Sequence, residues 1–233
     1  RAETTGDKIK AITDKIQSVF TPSKPSANFD EYISDPGHPV PYTEDIHNQR
    51  TREYMTDDQR FAERRTDVLT YQTEILNNDV TVTGPVFADL MTSISTTDAD
   101  FVVKLIDVFP DNFEYDKTIK GNEKIYPMGG YQMLVRAEIM RGKFRNSFES
   151  PEPFTPNKIT EVKWELPDVA HTFKKGHRLM IQIQSSWFPL ADRNPQKFID
   201  IYQAHDADFQ KANIRIYHDG VNNSKIVLPV LTR

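Results

Sequence analysis

The sequence predicts an all-β fold, a sandwich or barrel preceded by an arm. Three observations predict it. From residue 67 to the end, apolar side chains recur at every second position in short runs. Gly and Pro punctuate those runs. No repeat of fixed period appears that would indicate a solenoid or propeller.

The strand signals follow one another along residues 67–233. A first strand is expected at 67–73 and a second at 80–83. Gly84-Pro85 interrupts the second, which resumes over 86–95. Residues 101–109 alternate, with Val102, Ile106 and Val108 opposite Phe101, Val103, Leu105 and Phe109. Both faces are largely apolar, as for a central strand covered on two sides. Over 159–166, Val162, Trp164 and Leu166 share one face, and Glu161, Lys163 and Glu165 share the other. Over 178–185, Leu179, Ile181 and Ile183 oppose Gln182 and Gln184. Strands at 214–217 and 225–230 close the set.

Two zones precede these strands. In residues 1–27, Ile9, Ile12, Ile16 and Phe20 fall at helical spacing, and Thr5 or Asp7 can cap the start. This predicts one short amphipathic helix against a neighbouring surface, followed by a linker. Residues 28–66 are polar and carry Pro36, Pro39 and Pro41, which favour extended backbone. Arg50, Arg52, Arg60, Arg64 and Arg65 alternate there with acids. The composition is that of a linker or of an arm laid over another surface. The three zones, 1–27, 28–66 and 67–233, are the expected organisation.

Composition narrows the function. The chain has 233 residues and 29 basic against 34 acidic side chains, a net charge of -5. A chain this long buries roughly 70% of its unfolded surface. The charge lacks the basic footprint of a nucleic-acid binder. Without cysteine there is no disulfide, thiolate metal site or cysteine nucleophile. No apolar run approaches the roughly 20 residues of a membrane-spanning helix. The sequence opens on Arg1 rather than methionine, which reads as a boundary or processed end from which targeting information can be missing.

A search for chemistry finds little. There is no G-x-S-x-G, P-loop, G-x-G-x-x-G or H-E-x-x-H. The six histidines lack metal-ligand spacing to a second histidine or to cysteine. No cofactor or metal is expected. Asp98 and Asp100 before the central strand are turn residues or, alternatively, oxygen ligands for calcium; Asp206 and Asp208 have the same status. The densest unusual stretch is 185–195. It combines the aromatic pair Trp187 and Phe188 and the pair Asp192 and Arg193 with two prolines. It is either a strand-to-loop corner shaped by Asp192 and Arg193 or a surface that meets a partner domain, since aromatic and Arg side chains suit interfaces.

A series of short motifs then occurs in order. It runs through Asp35-Pro36, Pro39-Val40-Pro41, Asp57-Asp58-Gln59-Arg60, Arg65-Thr66-Asp67-Val68-Leu69 and Tyr71-Gln72-Thr73-Glu74. It continues with Val82-Thr83-Gly84-Pro85-Val86, Asp98-Ala99-Asp100-Phe101 and Lys104-Leu105-Ile106-Asp107-Val108. Leu134-Val135-Arg136, Gly176-His177-Arg178, Ser185-Ser186, Phe188-Pro189, Asp192-Arg193-Asn194 and Leu228-Pro229-Val230 complete it. From about Phe29 onward, this series resembles the carboxy-terminal domain of the X-Pro dipeptidyl-peptidase and cocaine-esterase (CocE/NonD) hydrolases. Tyr54-Met55, Phe61-Ala62 and Arg64-Arg65 make it most similar to the α-amino-acid ester hydrolase and glutaryl-7-aminocephalosporanic acid acylase forms.

The resemblance implies a jelly-roll (galactose-binding-like) β-sandwich with an N-terminal extended arm and one short helix. It implies a partner too, an N-terminal α/β-hydrolase domain of the same polypeptide that carries the Ser, Asp and His of acyl transfer. None of those catalytic parts matches a position in this chain, so the fragment alone is expected to be inactive. The resemblance also suggests a periplasmic or secreted parent. It further implies that the loop at 42–57 reaches the substrate's acyl pocket. The pocket positions fall near Asn48 and Gln49, whose polarity argues against an aromatic acyl pocket and permits a more polar acyl group. Two other functions stay open from the residues, a carbohydrate-binding module using Trp187, Trp164 and exposed tyrosines as stacking platforms, and an oligomerisation module forming homo-oligomers.

Overall fold

The computed structural model describes residues 28–114 and 128–231. The helix expected at 7–20 lies outside the described residues. The rest forms nine strands in two antiparallel sheets. In one sheet β1 (Phe29–Ser34), β8 (Ala212–Tyr217), β3 (Val80–Ile94) and β6 (Thr160–Phe173) lie side by side, and β9 (Lys225–Val227) also pairs with β3. In the other the order is β2 (Leu69–Gln72), β7 (Arg178–Gln184), β4 (Asp100–Val108) and β5 (Gln132–Arg141). The orders 1-8-3-6 and 2-7-4-5 are those of a jelly-roll sandwich, so the all-β expectation holds.

Side-chain period explains the layers. Leu90, Val162, Leu166 and Ile214 point from the first sheet into the space between the sheets, and Phe101, Leu105, Ile181 and Ile183 meet them from the second. On β6 the alternation is clean, with Val162, Trp164 and Leu166 buried and Glu161, Lys163 and Glu165 exposed. Gly84 and Pro85 do not end β3. They form a bulge where the register with β6 shifts between Gly84 and Val86. Gly84 adopts φ +117°, a backbone state that disfavours any side chain, and a bulge tolerates the missing N–H of Pro85.

Both sides of the sandwich are closed by polar contacts. Tyr71 on β2 donates to Asp30 on β1 at 2.8 Å, and Arg136 on β5 donates to the Asp168 carbonyl on β6 at 2.6 Å. At one end Asp107 of β4 binds His171 of β6 and His177 of the β6–β7 turn, each at 2.8 Å. This staple joins the sheets through three side chains that carry no sequence spacing to announce it.

The segment at 28–66 is more than a linker. Its first residues are edge strand β1, which pairs with β8 along its whole length. The remainder crosses the outer face of the second sheet. That face holds a second apolar cluster of Tyr42, Val102, Ile106, Leu134, Met180 and Trp187. A third small cluster joins Val40, Ala62 and Val68. β4 is apolar on both faces because it has a core on each side. Sequence period misses β1 and β5, since Tyr32 and Ser34 are the only buried residues of β1 and β5 mixes three charged residues with its apolar ones.

Candidate functional site

The feature that stands out is the loop at 42–57 and the way its base is seated. Pro41 forms a parallel bridge with Phe188. Phe188 N donates to Val40 O at 3.0 Å, Tyr42 N donates to Phe188 O at 2.9 Å, and Val40 N donates to Ser186 Oγ at 2.7 Å. The chain therefore enters the loop as a short strand laid on the 186–188 corner. It leaves along β5, where Gln59 N donates to Gln132 O at 3.0 Å and Gln132 N donates to Asp58 Oδ1 at 3.2 Å.

Aromatic contacts fasten the loop between these two ends. Tyr42 and Tyr54 have ring centroids 5.6 Å apart, and Tyr54 meets Trp187 edge to face at 6.0 Å. The Tyr42 hydroxyl accepts from Thr51 N at 3.1 Å. Arg50 lies over the Tyr54 ring at 5.6 Å. Above this base the chain is exposed. Ile46 is fully exposed, Asn48 and Gln49 point to solvent, and Arg50, Thr51, Arg52, Tyr54 and Met55 line an open cleft. Asn48 and Gln49, expected at a substrate cleft, thus sit at the tip of a loop whose feet are fixed.

Beneath the arm lies Lys104, on the outer face of the central strand β4 and fully buried. Its Nζ donates to Gln59 Oε1 at 2.9 Å and lies 5.5 Å from the Phe61 ring centroid and 6.0 Å from that of Trp187. Gln132 and Gln182 complete a buried polar patch, in which Gln182 Nε2 donates to Gln59 O at 3.2 Å and Gln132 binds the Glu63 carboxylate. No ion pair forms to Lys104 among the described residues. Desolvation disfavours the ammonium and pushes this amine down to about 7. Cation–π contact returns only about 2 kcal/mol even when dry. Removing an ion from water costs several kcal/mol, so burial wins.

A second buried network closes the same end of the sandwich as residues 185–195. Asp98 Oδ1 accepts from Ala99 N at 3.0 Å and Lys143 N at 2.9 Å, and Asn194 Nδ2 bridges Asp98 Oδ2 at 3.2 Å and Asp100 Oδ1 at 2.7 Å. Arg141 grips Asp100 through two hydrogen bonds and also reaches Asp192 Oδ1 at 2.9 Å. Burial, then the Asp100 charge, raises the Asp98 carboxyl to about 6. Burial also raises Asp100, and Arg141 opposes it. Asp98 bonds its own backbone, as the turn reading expects. Asp100 departs from it, because it is the first residue of β4. Among the described residues no group of three or more His, Asp or Glu is arranged to hold a metal ion. Asp206 and Asp208 lie in a short 3-10 turn, where Asp208 caps His205 N at 3.0 Å and binds Lys197 Nζ at 2.8 Å.

The four side chains singled out at 185–195 divide. Trp187 is buried under the arm, so its contacts lie within the chain. Arg193 donates to Pro36 O at 3.0 Å and lies over the Phe188 and Phe209 rings at 5.6 and 5.0 Å. Both shape the corner. Phe188 is 37% exposed and the Asp192 side chain 58% exposed, which leaves surface for another domain. Trp164 and Trp187 are both buried, so neither can stack on a sugar ring, whereas Tyr202 is exposed. Sequence reading did not find Lys104 or the Gln59–Gln132–Gln182 patch. A lone lysine in an apolar strand, at Lys104, is the signal that could have found them.

A family model described as the X-Pro dipeptidyl-peptidase C-terminal non-catalytic domain matches residues 17–227. The cocaine esterase of Rhodococcus sp. (strain MB1 Bresler) is 33% identical over 204 residues, which cover 88% of this chain and 32% of that protein. An aminopeptidase from a marine sediment Thaumarchaeota archaeon superimposes with a TM-score of 0.81 at 38% identity, covering 92% of this chain and 36% of its own. An α-amino acid ester hydrolase superimposes with a TM-score of 0.80 at 41% identity, over 90% and 34%. The chain spans about a third of the length of each. With a matched family model over most of its length and the fold in place, the chain belongs to the X-Pro dipeptidyl-peptidase C-terminal non-catalytic domain family.

Proposed function

We propose that this chain is the accessory β domain of a serine acyl hydrolase, seated on the enzyme's N-terminal α/β-hydrolase domain with the loop at 42–57 forming part of the wall of the active-site cleft. The relatives are named as an esterase, an aminopeptidase and an ester hydrolase, all of which cleave acyl bonds. One observation carries the reading. The loop is exposed and polar at its tip, yet both its feet are hydrogen-bonded to the sandwich. Binding residues are commonly presented in this way, on a loop held by a rigid scaffold. Asn48 and Gln49 would then face the acyl group, and Phe188 and Asp192 would meet the neighbouring domain.

The catalytic serine, histidine and acid belong in this reading to the other domain. Incubating the purified chain with a p-nitrophenyl ester should release nitrophenol no faster than buffer. Saturable turnover by the chain alone would overturn the accessory role.

A further inference from the structure

We propose that the seat of the arm on the second sheet is a pH-responsive clasp with Lys104 as its sensor, so that protonating this buried amine loosens the arm and the loop at 42–57. The geometry carries the argument. Lys104 is enclosed between β4 and the arm, and among the described residues its only hydrogen-bond partner is the neutral Gln59 oxygen, which the arm itself supplies. The contact that buries the amine is the contact that a charge there would strain.

The surrounding charges are already engaged. On the arm, Asp58 is held by Arg60, and Glu63 binds Gln132. On β4, Asp100 is held by Arg141 of β5. Arg178 of β7 binds Thr73 O and pairs with Glu74. None of them forms an ion pair with Lys104. A protonated Lys104 would therefore be a buried cation without a counter-ion, and the direct relief is to open the arm and admit water.

The sign follows from the depressed amine. With its folded value near 7, Lys104 is neutral above that pH and adds stability that is complete above the ordinary lysine value of 10.5. That contribution is lost as pH falls through about 7. The arm should be tight in alkaline solution and looser in mildly acidic solution. The clasp does not depend on what the loop faces in a larger enzyme, so it can fail while the proposed function stands, and the reverse.

Hydrogen–deuterium exchange of the intact chain tests it. Peptides from residues 40–66 are followed between pH 8 and pH 6, with rates corrected for intrinsic exchange. Arm exchange should rise by up to about tenfold from pH 8 to pH 6, most of it between 8 and 7, and level off below 7, where the closed and open states both carry the proton. Peptides from β4 and β7 should change far less. Lys104→Met should remove the step. Gln59→Glu should also remove it, because a carboxylate at the Gln59 oxygen position keeps the amine charged and paired, and this variant serves if Lys104→Met fails to fold. Equal arm protection at both pH values overturns the proposal. So does a step that persists in either folded variant, which would assign it to His38 or His47 of the arm.

Discussion

Trp187 and Tyr54 meet edge to face with ring centroids 6.0 Å apart, and this contact locks the arm onto the sheet. Trp187 is the buried centre of the outer-face cluster, touching a region that also includes Tyr42, Ile106 and Met180. Trp187→Ala should cost roughly 3–5 kcal/mol, the usual range for deleting a buried aromatic. Urea unfolding checks the loss. Limited proteolysis should then cut first within residues 42–57, because the loop loses its seat while the inter-sheet core is untouched.

The Asp100–Arg141 pair calls for a different expectation. The Asp100 side chain is 1% exposed and Arg141 binds it through two hydrogen bonds. Asp100→Ala leaves a largely buried guanidinium with only the exposed Asp192 as partner and should cost about 3–5 kcal/mol. Asp100→Asn keeps a hydrogen-bond acceptor and should cost less. Thermal unfolding of both variants orders them.

Asp98 makes the low-pH behaviour specific. Its carboxyl is raised to about 6 by burial and by Asp100, so the folded state binds its proton more tightly than the unfolded chain. This contribution to stability is fully present below the ordinary value of 3.8 and is lost as pH rises through about 6. Urea midpoints of wild type and Asp98→Asn between pH 4 and 7 isolate it. The variant should gain on wild type as pH rises. A difference that does not vary with pH contradicts the assignment.

Gly84 tests the bulge. Its φ of +117° is unfavourable for a residue with a side chain, even though a Cβ there meets Pro229 Cγ only at 3.4 Å. The cost of Gly84→Ala is backbone strain rather than a clash. It should be about 1–3 kcal/mol, read from the denaturation midpoint.

How much of this was legible in the sequence depends on what buries each strand. β6 and β7 read clearly because their inward residues are apolar at every second position and meet a single core. β4 read as central because both of its faces are apolar, although the second face is covered by the arm rather than by another sheet. The polar positions on β7 show the limit of such patterns. Gln182 and Gln184 alternate with apolar residues as a solvent face would, yet both are fully buried beneath the arm. β1 was hidden inside a proline-dotted segment because its partner β8 lies far along the chain and only non-local pairing defines it. The candidate loop was located only through family resemblance. Its fastening by Tyr42, Tyr54 and Trp187 needed the fold, since those rings are brought together by tertiary contact and not by spacing.

The central claim is that the loop at 42–57 lines an acyl-hydrolase cleft. The direct measurement is kcat/KM of the full-length enzyme and of its Asn48→Ala/Gln49→Ala variant for two p-nitrophenyl esters, one with a polar and one with an apolar acyl chain. Both side chains are exposed, so the thermal midpoint should not move. The ratio of the two kcat/KM values should shift severalfold toward the apolar ester, chiefly through KM. An unchanged ratio in a normally folded variant would contradict it.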